Sequence, residues 1–338
     1  MRSRSLPALS LSLALLLSAC GGATSASTAG GTDGKGRVVL DVGDQKGGYE
    51  AILRASGELD DLDYRIKWST FTSGPPLLEA VHAQAVDLGG VGNTPPVFAA
   101  GSDSRIVVVG AAHGSSAGEA IVVPEDSPLK SPAQLRGRSI AVTQGSSAHY
   151  QLIASLKKAG LGIEDVKPKY LQPADAPAAY SRGKVDAWAV RDPYTSQVLR
   201  STESRVLTTG RGVVNGLSFQ VASPAALKDP AKSRAIGDLL VRLQRAQSWV
   251  FEHPEAWAKE TGLPYEVALD AVRLSAGTRV SVALDPAAIA SEQAIADNFA
   301  GLELIPRRFS FEEYVDTRFN RDLPPSSTAP RSYGKASS

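Results

Sequence analysis

Short apolar runs alternate with amphipathic segments through the first two thirds of this 338-residue chain. Many of the runs end in turns rich in Gly, Ser, Thr or Asn, which is typical of strands that lead into helices. The pattern predicts strands at residues 37–42, 64–68, 87–91, 105–109, 119–123, 138–142, 169–171, 185–190 and 217–222. From Asp229 onward the pattern is almost wholly helical, with helices at about 230–252, 254–261, 264–276, 286–299 and 311–316.

This order of elements predicts an α/β fold with two lobes and a helical C-terminal region. Strands that alternate with helices favour parallel sheets covered by helices. A second strand–helix series begins near Pro124, and the strand at 217–222 is expected to lead back to the first lobe. We therefore expect residues 37–122 and 218–320 in lobe 1 and residues 123–217 in lobe 2. A ligand would lie at the carboxyl ends of the strands, between the lobes.

The N-terminal residues have the composition of a secretory signal. Arg2 and Arg4 precede an apolar run at 9–17 that is too short to span a bilayer, and small residues follow it. The sequence Leu17-Ser18-Ala19-Cys20 resembles the lipobox of bacterial lipoproteins. The resemblance implies that residues 1–19 are removed and that Cys20 carries the lipid. The alternative is an ordinary signal with an incidental cysteine.

Two further segments are expected to lack a packed structure. Residues 20–36 are rich in Gly, Ser, Thr and Ala, which favours a flexible tether between the anchor and the folded domain. Residues 321–338 are rich in Pro and Ser, which favours a disordered tail. Together with the lipobox, the tether predicts an extracytoplasmic protein held at the membrane, on the periplasmic or outer face.

Composition excludes several kinds of functional site. The formal net charge of +1 gives no reason to expect a nucleic-acid partner. Cys20 is the only cysteine, so a mature fold anchored through it has no disulfide, zinc–cysteine site or cysteine nucleophile. The four histidines lack metal-ligand spacing, and no phosphate-binding loop or nucleophile-elbow motif occurs. We expect neither a metal nor a cofactor.

Four expected strand-to-helix turns share one design, at residues 43–48, 73–76, 93–96 and 144–147. Each places Gly, Ser, Thr or Asn just before a helix, as helix caps do. The first amides of a helix have no internal partner, and the helix dipole leaves about half a positive charge there. One such turn alone would be ordinary capping. Four such turns on the same side of the sheets favour an anion-binding site.

These turns lie in segments that together resemble a known family. The segments are 43–47, 73–80, 87–99, 145–150, 173–176 and 185–193. Their order and spacing resemble the aliphatic sulfonate-binding proteins of bacterial ABC importers, within the nitrate/sulfonate/taurine-binding family. The resemblance covers about residues 37–320. It implies a two-lobe clamshell of the periplasmic-binding-protein type 2, with an anion between the lobes.

The resemblance also implies a role and a set of ligand-binding residues. The role is a monomeric, non-catalytic receptor that passes an organosulfonate to a permease and its ATPase. The implied ligand-binding residues are Gln45, Ser73, Gly74, Thr94, Gly145, Ser146 and Asp192. One departure is Arg191, which stands where family members usually carry Trp. Arg191 could reach a polar or charged ligand tail, or it could point to solvent.

Two alternatives to this role stay open from the sequence. The receptor could carry a different cargo: taurine, nitrate, bicarbonate or a thiamine-precursor pyrimidine. The chain could also be an enzyme on the same fold, as are desulfinases with a cysteine nucleophile and pyrimidine-synthesising enzymes with histidine clusters. The absence of a cysteine after Cys20, and of a histidine cluster, disfavours an enzyme.

Overall fold

The computed structural model describes residues 36–333. Within them the chain forms eleven strands: β1 (Val39–Gln45), β2 (Arg65–Phe71), β3 (Leu88–Gly92), β4 (Val107–His113), β5 (Glu119–Pro124), β6 (Ser139–Val142), β7 (Lys167–Tyr170), β8 (Ala187–Arg191), β9 (Ser204–Thr209), β10 (Leu217–Ala222) and β11 (Val280–Val282). The expected signal segment, Cys20 and most of the tether lie outside the described residues.

The same residues form eleven α-helices: α1 (Tyr49–Ala55), α2 (Gly74–His82), α3 (Thr94–Gly101), α4 (Ser147–Lys158), α5 (Ala176–Ser181), α6 (Tyr194–Ser201), α7 (Pro224–Lys228), α8 (Pro230–Val250), α9 (Pro254–Glu260), α10 (Tyr265–Leu274) and α11 (Pro286–Gly301). Short 3-10 turns lie at Pro132–Leu135, Ile163–Asp165, Ala276–Thr278, Phe311–Tyr314 and Thr317–Phe319. No helix among the described residues is both long enough and apolar enough to cross a bilayer.

The first lobe is built on a six-stranded sheet with the order β11-β4-β10-β3-β1-β2. β1 pairs in parallel with β2 and β3, whereas β10 is antiparallel to both β3 and β4. One core, which includes Leu77, Phe219 and Phe299, packs under α2, α3 and α11. A second core, which includes Ile52 and Leu239, packs under α1, α8 and α9. Helices therefore cover both faces of this sheet.

The second lobe is built on a five-stranded sheet with the order β7-β6-β8-β5-β9. Successive residues of β5 point to opposite faces, as in any strand. Ile121 and Val123 pack with Leu152 of α4, and Val122 packs with Trp188 in the other core. Both faces are again buried, which explains why β5 has a continuous apolar sequence.

The chain crosses between the lobes twice, through residues 114–118 and 210–216. The amide of Gly114 donates to the carbonyl of Gly216 at 2.9 Å, so the two crossings lie side by side. After the second crossing, β10 lies between β4 and β3 in the sheet of the first lobe. The boundary expected between residues 122 and 123 falls inside β5, and all of β5 pairs in the second sheet.

Both sheets are mixed, so the expectation of parallel sheets is wrong. β5 is antiparallel to β8 and β9, and β10 is antiparallel to its two neighbours. Each of these strands directly follows a crossing, and the chain enters the new sheet against the direction of the strands beside it. β11 is also antiparallel to β4, whereas β1 is parallel to β2 and β3, and β6 is parallel to β7 and β8.

The expected disordered tail is wrong for residues 321–333, which pack on the first lobe. The Ser326 hydroxyl donates to Asp285 Oδ1 at 2.6 Å, and the Tyr333 ring stacks on Phe251 with 4.8 Å between centroids. The Pro- and Ser-rich composition keeps this segment out of helices and strands, but side-chain contacts still hold it in place. Residues 334–338 lie outside the described residues.

Candidate functional site

A cavity lies between the two lobes at the carboxyl ends of the strands, where the sequence predicted a ligand site. Both lobes contribute to its wall, which includes Gln45, Ser73, Gly74, Ser146, Ser147, Arg191, Asp192, Ser275 and Arg279. Two adjoining cavities share Arg191 and Arg279 with it. The three spaces form one cleft that runs from the first lobe to the second.

Two helix N-termini from opposite lobes open onto this cleft. α2 begins after Ser73 in the first lobe, and α4 begins after Ser146 in the second. Both capping residues have extended backbone, as N-caps do. A Cβ on Gly74 would lie 2.5 Å from Pro95 Cγ, so only glycine fits there. The unpaired amides and the dipoles of both helices therefore make this part of the cleft attractive to an anion.

The other two turns do not present a helix end to the cleft. The Asp44 carboxylate accepts hydrogen bonds from the amides of Tyr49 and Glu50, so the α1 N-terminus already has an anionic partner. Burial raises the pKa of Asp44 to about 6 even though these amides act to lower it. At the α3 N-terminus the Thr94 hydroxyl is fully buried and donates to Asn93 Oδ1 at 2.9 Å.

Of the seven residues that the resemblance implied, five line the main cavity: Gln45, Ser73, Gly74, Ser146 and Asp192. Thr94 and Gly145 do not line it, although their neighbours Pro95 and Ser146 do. Gly145 has a φ of +72°, which shapes the turn before α4. It therefore positions the turn without reaching the cavity wall.

The hydroxyls at the two helix ends differ in how free they are to bind a ligand. The Ser73 hydroxyl donates to Gln172 Oε1 at 2.9 Å across the cleft, and the Ser146 hydroxyl donates to the Thr143 carbonyl at 2.7 Å. Ser147 is 2% exposed, and its Oγ has no hydrogen-bond partner among residues 36–333. A buried hydroxyl without a partner is costly, so Ser147 is the donor most in need of a ligand. The sequence predicted the turn but did not single out this residue.

Asp192 joins the lobes and already accepts three hydrogen bonds. Its Oδ1 accepts from the amide and hydroxyl of Ser196, at 3.1 and 2.7 Å. Its Oδ2 accepts from the Ser275 hydroxyl of the first lobe at 3.0 Å. Burial raises the pKa of Asp192, while these hydrogen bonds and Arg191 act to lower it. We infer that Asp192 holds the wall of the cleft rather than contacting an anion.

Two arginines, one from each lobe, extend into the cleft. Arg191 ends β8, and Arg279 precedes β11. Burial lowers the pKa of Arg279 to about 10, and the positive charge of Arg191 adds to this effect. Burial also raises the pKa of Glu119, which is directly opposite Arg191 in the β5–β8 pairing. Arg191 thus lines the cleft. Arg279 was not predicted, because its segment was expected to contain helices only.

The lobes touch on both sides of the cleft, so this conformation is closed. Arg200 Nε of α6 lies 2.5 Å from Asp270 Oδ2 of α10. The His149 ring of α4 packs against Phe98 and Phe299 of the first lobe, with centroid distances of 5.9 and 5.4 Å. Burial lowers the pKa of His149 to about 4, so this interface contains a neutral imidazole at pH 7.

Comparison with known proteins identifies the family. A family profile described as the periplasmic substrate-binding protein of a phosphonate ABC transporter matches residues 59–248. An aliphatic sulfonates-binding protein of Escherichia coli is 35% identical over 286 residues, which are 82% of this chain and 88% of the relative. The chain belongs to the family of ABC transporter substrate-binding proteins that includes the aliphatic sulfonate-binding proteins. The α/β two-lobe fold predicted from the sequence is thereby confirmed.

Solved structures of this family match most of the folded region. The alkanesulfonate-binding protein SsuA of Xanthomonas axonopodis pv. citri, bound to MOPS, has a TM-score of 0.73 at 32% identity and covers 82% of this chain and 98% of its own. The periplasmic aliphatic sulphonate-binding protein SsuA of Escherichia coli has a TM-score of 0.69 at 33% identity, over 82% and 96%. The desulfurization enzyme DszB, at 18% identity and a TM-score of 0.61, shares the fold only.

Proposed function

We propose that this protein captures an aliphatic sulfonate outside the cytoplasm and delivers it to the permease and ATPase of an ABC importer. Family membership gives the periplasmic solute-binding role. The cargo is proposed from one observation above all. Two helix N-termini from opposite lobes and the unpartnered hydroxyl of Ser147 converge on one closed cleft.

The chemistry of a sulfonate suits this part of the cleft. A sulfonate is a monoanion near pH 7 with three acceptor oxygens and no proton to donate. Backbone amides at the α2 and α4 N-termini and the Ser147 hydroxyl can all donate to it. An anion bound between α2 and α4 would contact both lobes at once, which would favour the closed conformation. The relatives named for sulfonate binding support the same cargo.

A lipid anchor at Cys20 is part of this proposal. The lipobox-like sequence precedes a Gly- and Ser-rich stretch that would let the folded domain reach a membrane-embedded partner. We further propose that the protein is not an enzyme and acts as a monomer. The described residues contain no cysteine and no group of three metal-ligating side chains.

A panel of anions tests the cargo by thermal unfolding. A ligand that binds only the native state stabilises it by about 2.7 kcal/mol at a hundredfold excess over Kd. We expect propane-1-sulfonate to raise Tm more than taurine, nitrate or bicarbonate does. A larger rise in Tm with one of the other three anions would show that this anion, and not an alkanesulfonate, is the cargo. Release of sulfite or sulfate from the bound sulfonate would show an enzyme instead of a receptor.

A further inference from the structure

Arg191 and Arg279 lack the partners that would fix them within the protein. Both line the main cavity and both adjoining cavities. Within the described part of the chain, neither guanidinium donates a hydrogen bond or forms an ion pair. Arg200, which also lies between the lobes, has the Asp270 carboxylate within reach. The two cleft arginines are therefore available to a ligand.

The surroundings of the two arginines offer too few acceptors for their donors. Each guanidinium carries roughly five N–H donors in a planar fork. Both oxygens of Asp192 already accept hydrogen bonds from Ser196 and Ser275. The Glu119 carboxylate remains, and its buried Oε2 has no partner among residues 36–333. One carboxylate cannot accept hydrogen bonds from all the donors of two guanidinium groups. A ligand that supplies further acceptor oxygens would complete the site.

The arginines lie close to the helix ends described above. A Cβ on Gly92 would be 1.9 Å from Ser147 Oγ and 3.8 Å from Arg191 Nη1, so the hydroxyl and the guanidinium flank the same glycine. A ligand that binds at Ser147 with one acidic group would bring its next few atoms to Arg191. A second acidic group that pairs with the arginines therefore has to follow the first within a few bonds.

We propose that the cargo is a short sulfonate with a second anionic group, such as a sulfocarboxylate. The sulfonate binds at the α2 and α4 N-termini with Ser147, and the carboxylate binds between Arg191 of one lobe and Arg279 of the other. Planar guanidinium forks match carboxylate oxygens, and hydrogen bonds between charged groups are the strong ones. This inference rests on the proposed sulfonate function and specifies the tail of the ligand.

Calorimetry with three matched sulfonates tests the second anionic group. 3-Sulfopropionate carries the carboxylate, and 3-methylbutane-1-sulfonate replaces it with an isopropyl group of similar size. 3-Aminopropane-1-sulfonate carries an ammonium, which Glu119 would favour. We expect 3-sulfopropionate to bind at least about tenfold more tightly than either of the others, because a hydrogen bond to a charged group is worth roughly 1.5–3 kcal/mol.

Variants connect the preference to the arginines. The unaltered protein should bind 3-sulfopropionate at least about tenfold more tightly than 3-methylbutane-1-sulfonate. In Arg191→Gln we expect this preference to fall below about threefold, because the guanidinium that pairs with the carboxylate is gone. Arg308→Gln makes the same charge change at an exposed position outside the cleft and should keep the ratio of the unaltered protein. Circular dichroism of both variants checks that they are folded.

The possible results separate this inference from the proposed function. If the isopropyl or ammonium compound binds as tightly as 3-sulfopropionate, the proposal of a second anionic group is wrong, while the proposed sulfonate function stands. An unchanged ratio in Arg191→Gln would also overturn the inference. If none of the three sulfonates binds, the proposed function fails, and this inference fails with it.

Discussion

Removing the hydroxyl of Ser147 should weaken ligand binding without weakening the fold. This hydroxyl is 2% exposed, lies at the first residue of α4, and has no hydrogen-bond partner among the described residues. In the unliganded protein its loss removes no hydrogen bond to another residue among 36–333. In the complex its loss removes a hydrogen bond to an anion, worth roughly 1.5–3 kcal/mol.

For Ser147→Ala we therefore expect weaker ligand binding together with unchanged or higher stability of the unliganded protein. The Kd of propane-1-sulfonate from calorimetry should rise by about 10- to 150-fold, the equivalent of that hydrogen bond. The Tm of the unliganded protein should stay the same or rise by a few degrees, since about 1 kcal/mol shifts the Tm of a domain of 150–250 residues by roughly 2–4 °C. Alanine is also a good helix former, so α4 itself loses nothing.

Ser155 on the same helix provides the matched control. It is 3% exposed, and its hydroxyl accepts a hydrogen bond from Gln151 Nε2 at 3.1 Å, away from the cleft. Ser155→Ala should lower stability by roughly 1–3 kcal/mol, because it leaves a buried donor unpaired, while the Kd stays unchanged. If Ser147→Ala retains full affinity, or loses stability as Ser155→Ala does, Ser147 is not a ligand donor and the reasoning is refuted.

Three further predictions concern the anchor, the closure and the pH dependence. Cys20→Ser should abolish lipid labelling and membrane retention while the domain still binds its ligand; retention of the variant at the membrane would contradict this. Saturating sulfonate should lower the radius of gyration in small-angle scattering, because the lobes hinge at residues 114–118 and 210–216; an unchanged profile would contradict closure. The pKa of His149 falls from 6.5 to about 4 in the fold. The unfolded state therefore takes up this proton first as pH falls, and the contribution of His149 to the free energy of unfolding should drop by about 2–3 kcal/mol between pH 7 and 4.5. His149→Gln should lose correspondingly less over this range in denaturant titrations.

Local patterns were enough to predict most strands, the helices and the site's location. The turns at 73–76 and 144–147 combine small residues with the start of a helix, and both lie at the cleft as expected. The return of β10 to the first lobe also followed from its position in the chain. Such features depend on residues that are neighbours in sequence, which is why a single sequence reveals them.

Other features depend on residues that meet only in the folded chain. β11 has three residues, too few to show alternation, and its partner β4 lies more than 160 residues earlier. Arg279 precedes that strand, so its place in the cleft could not be predicted from its neighbours. Thr94 has the residue type of a ligand donor, but its hydroxyl turns to Asn93 instead. Whether Ser147 has a partner is likewise a property of the packed site.

The most direct test of the sulfonate function compares propane-1-sulfonate with propylphosphonate by calorimetry at pH 7. The matching family profile is described for a phosphonate transporter, so this pair separates the two cargoes on one tail. The amides at the α2 and α4 ends can only donate hydrogen bonds. A phosphonate that retains its proton brings an O–H that these amides cannot accept, and an unpaired buried donor costs roughly 1–3 kcal/mol. We predict at least about tenfold tighter binding of the sulfonate. Equal or tighter binding of propylphosphonate would contradict the account.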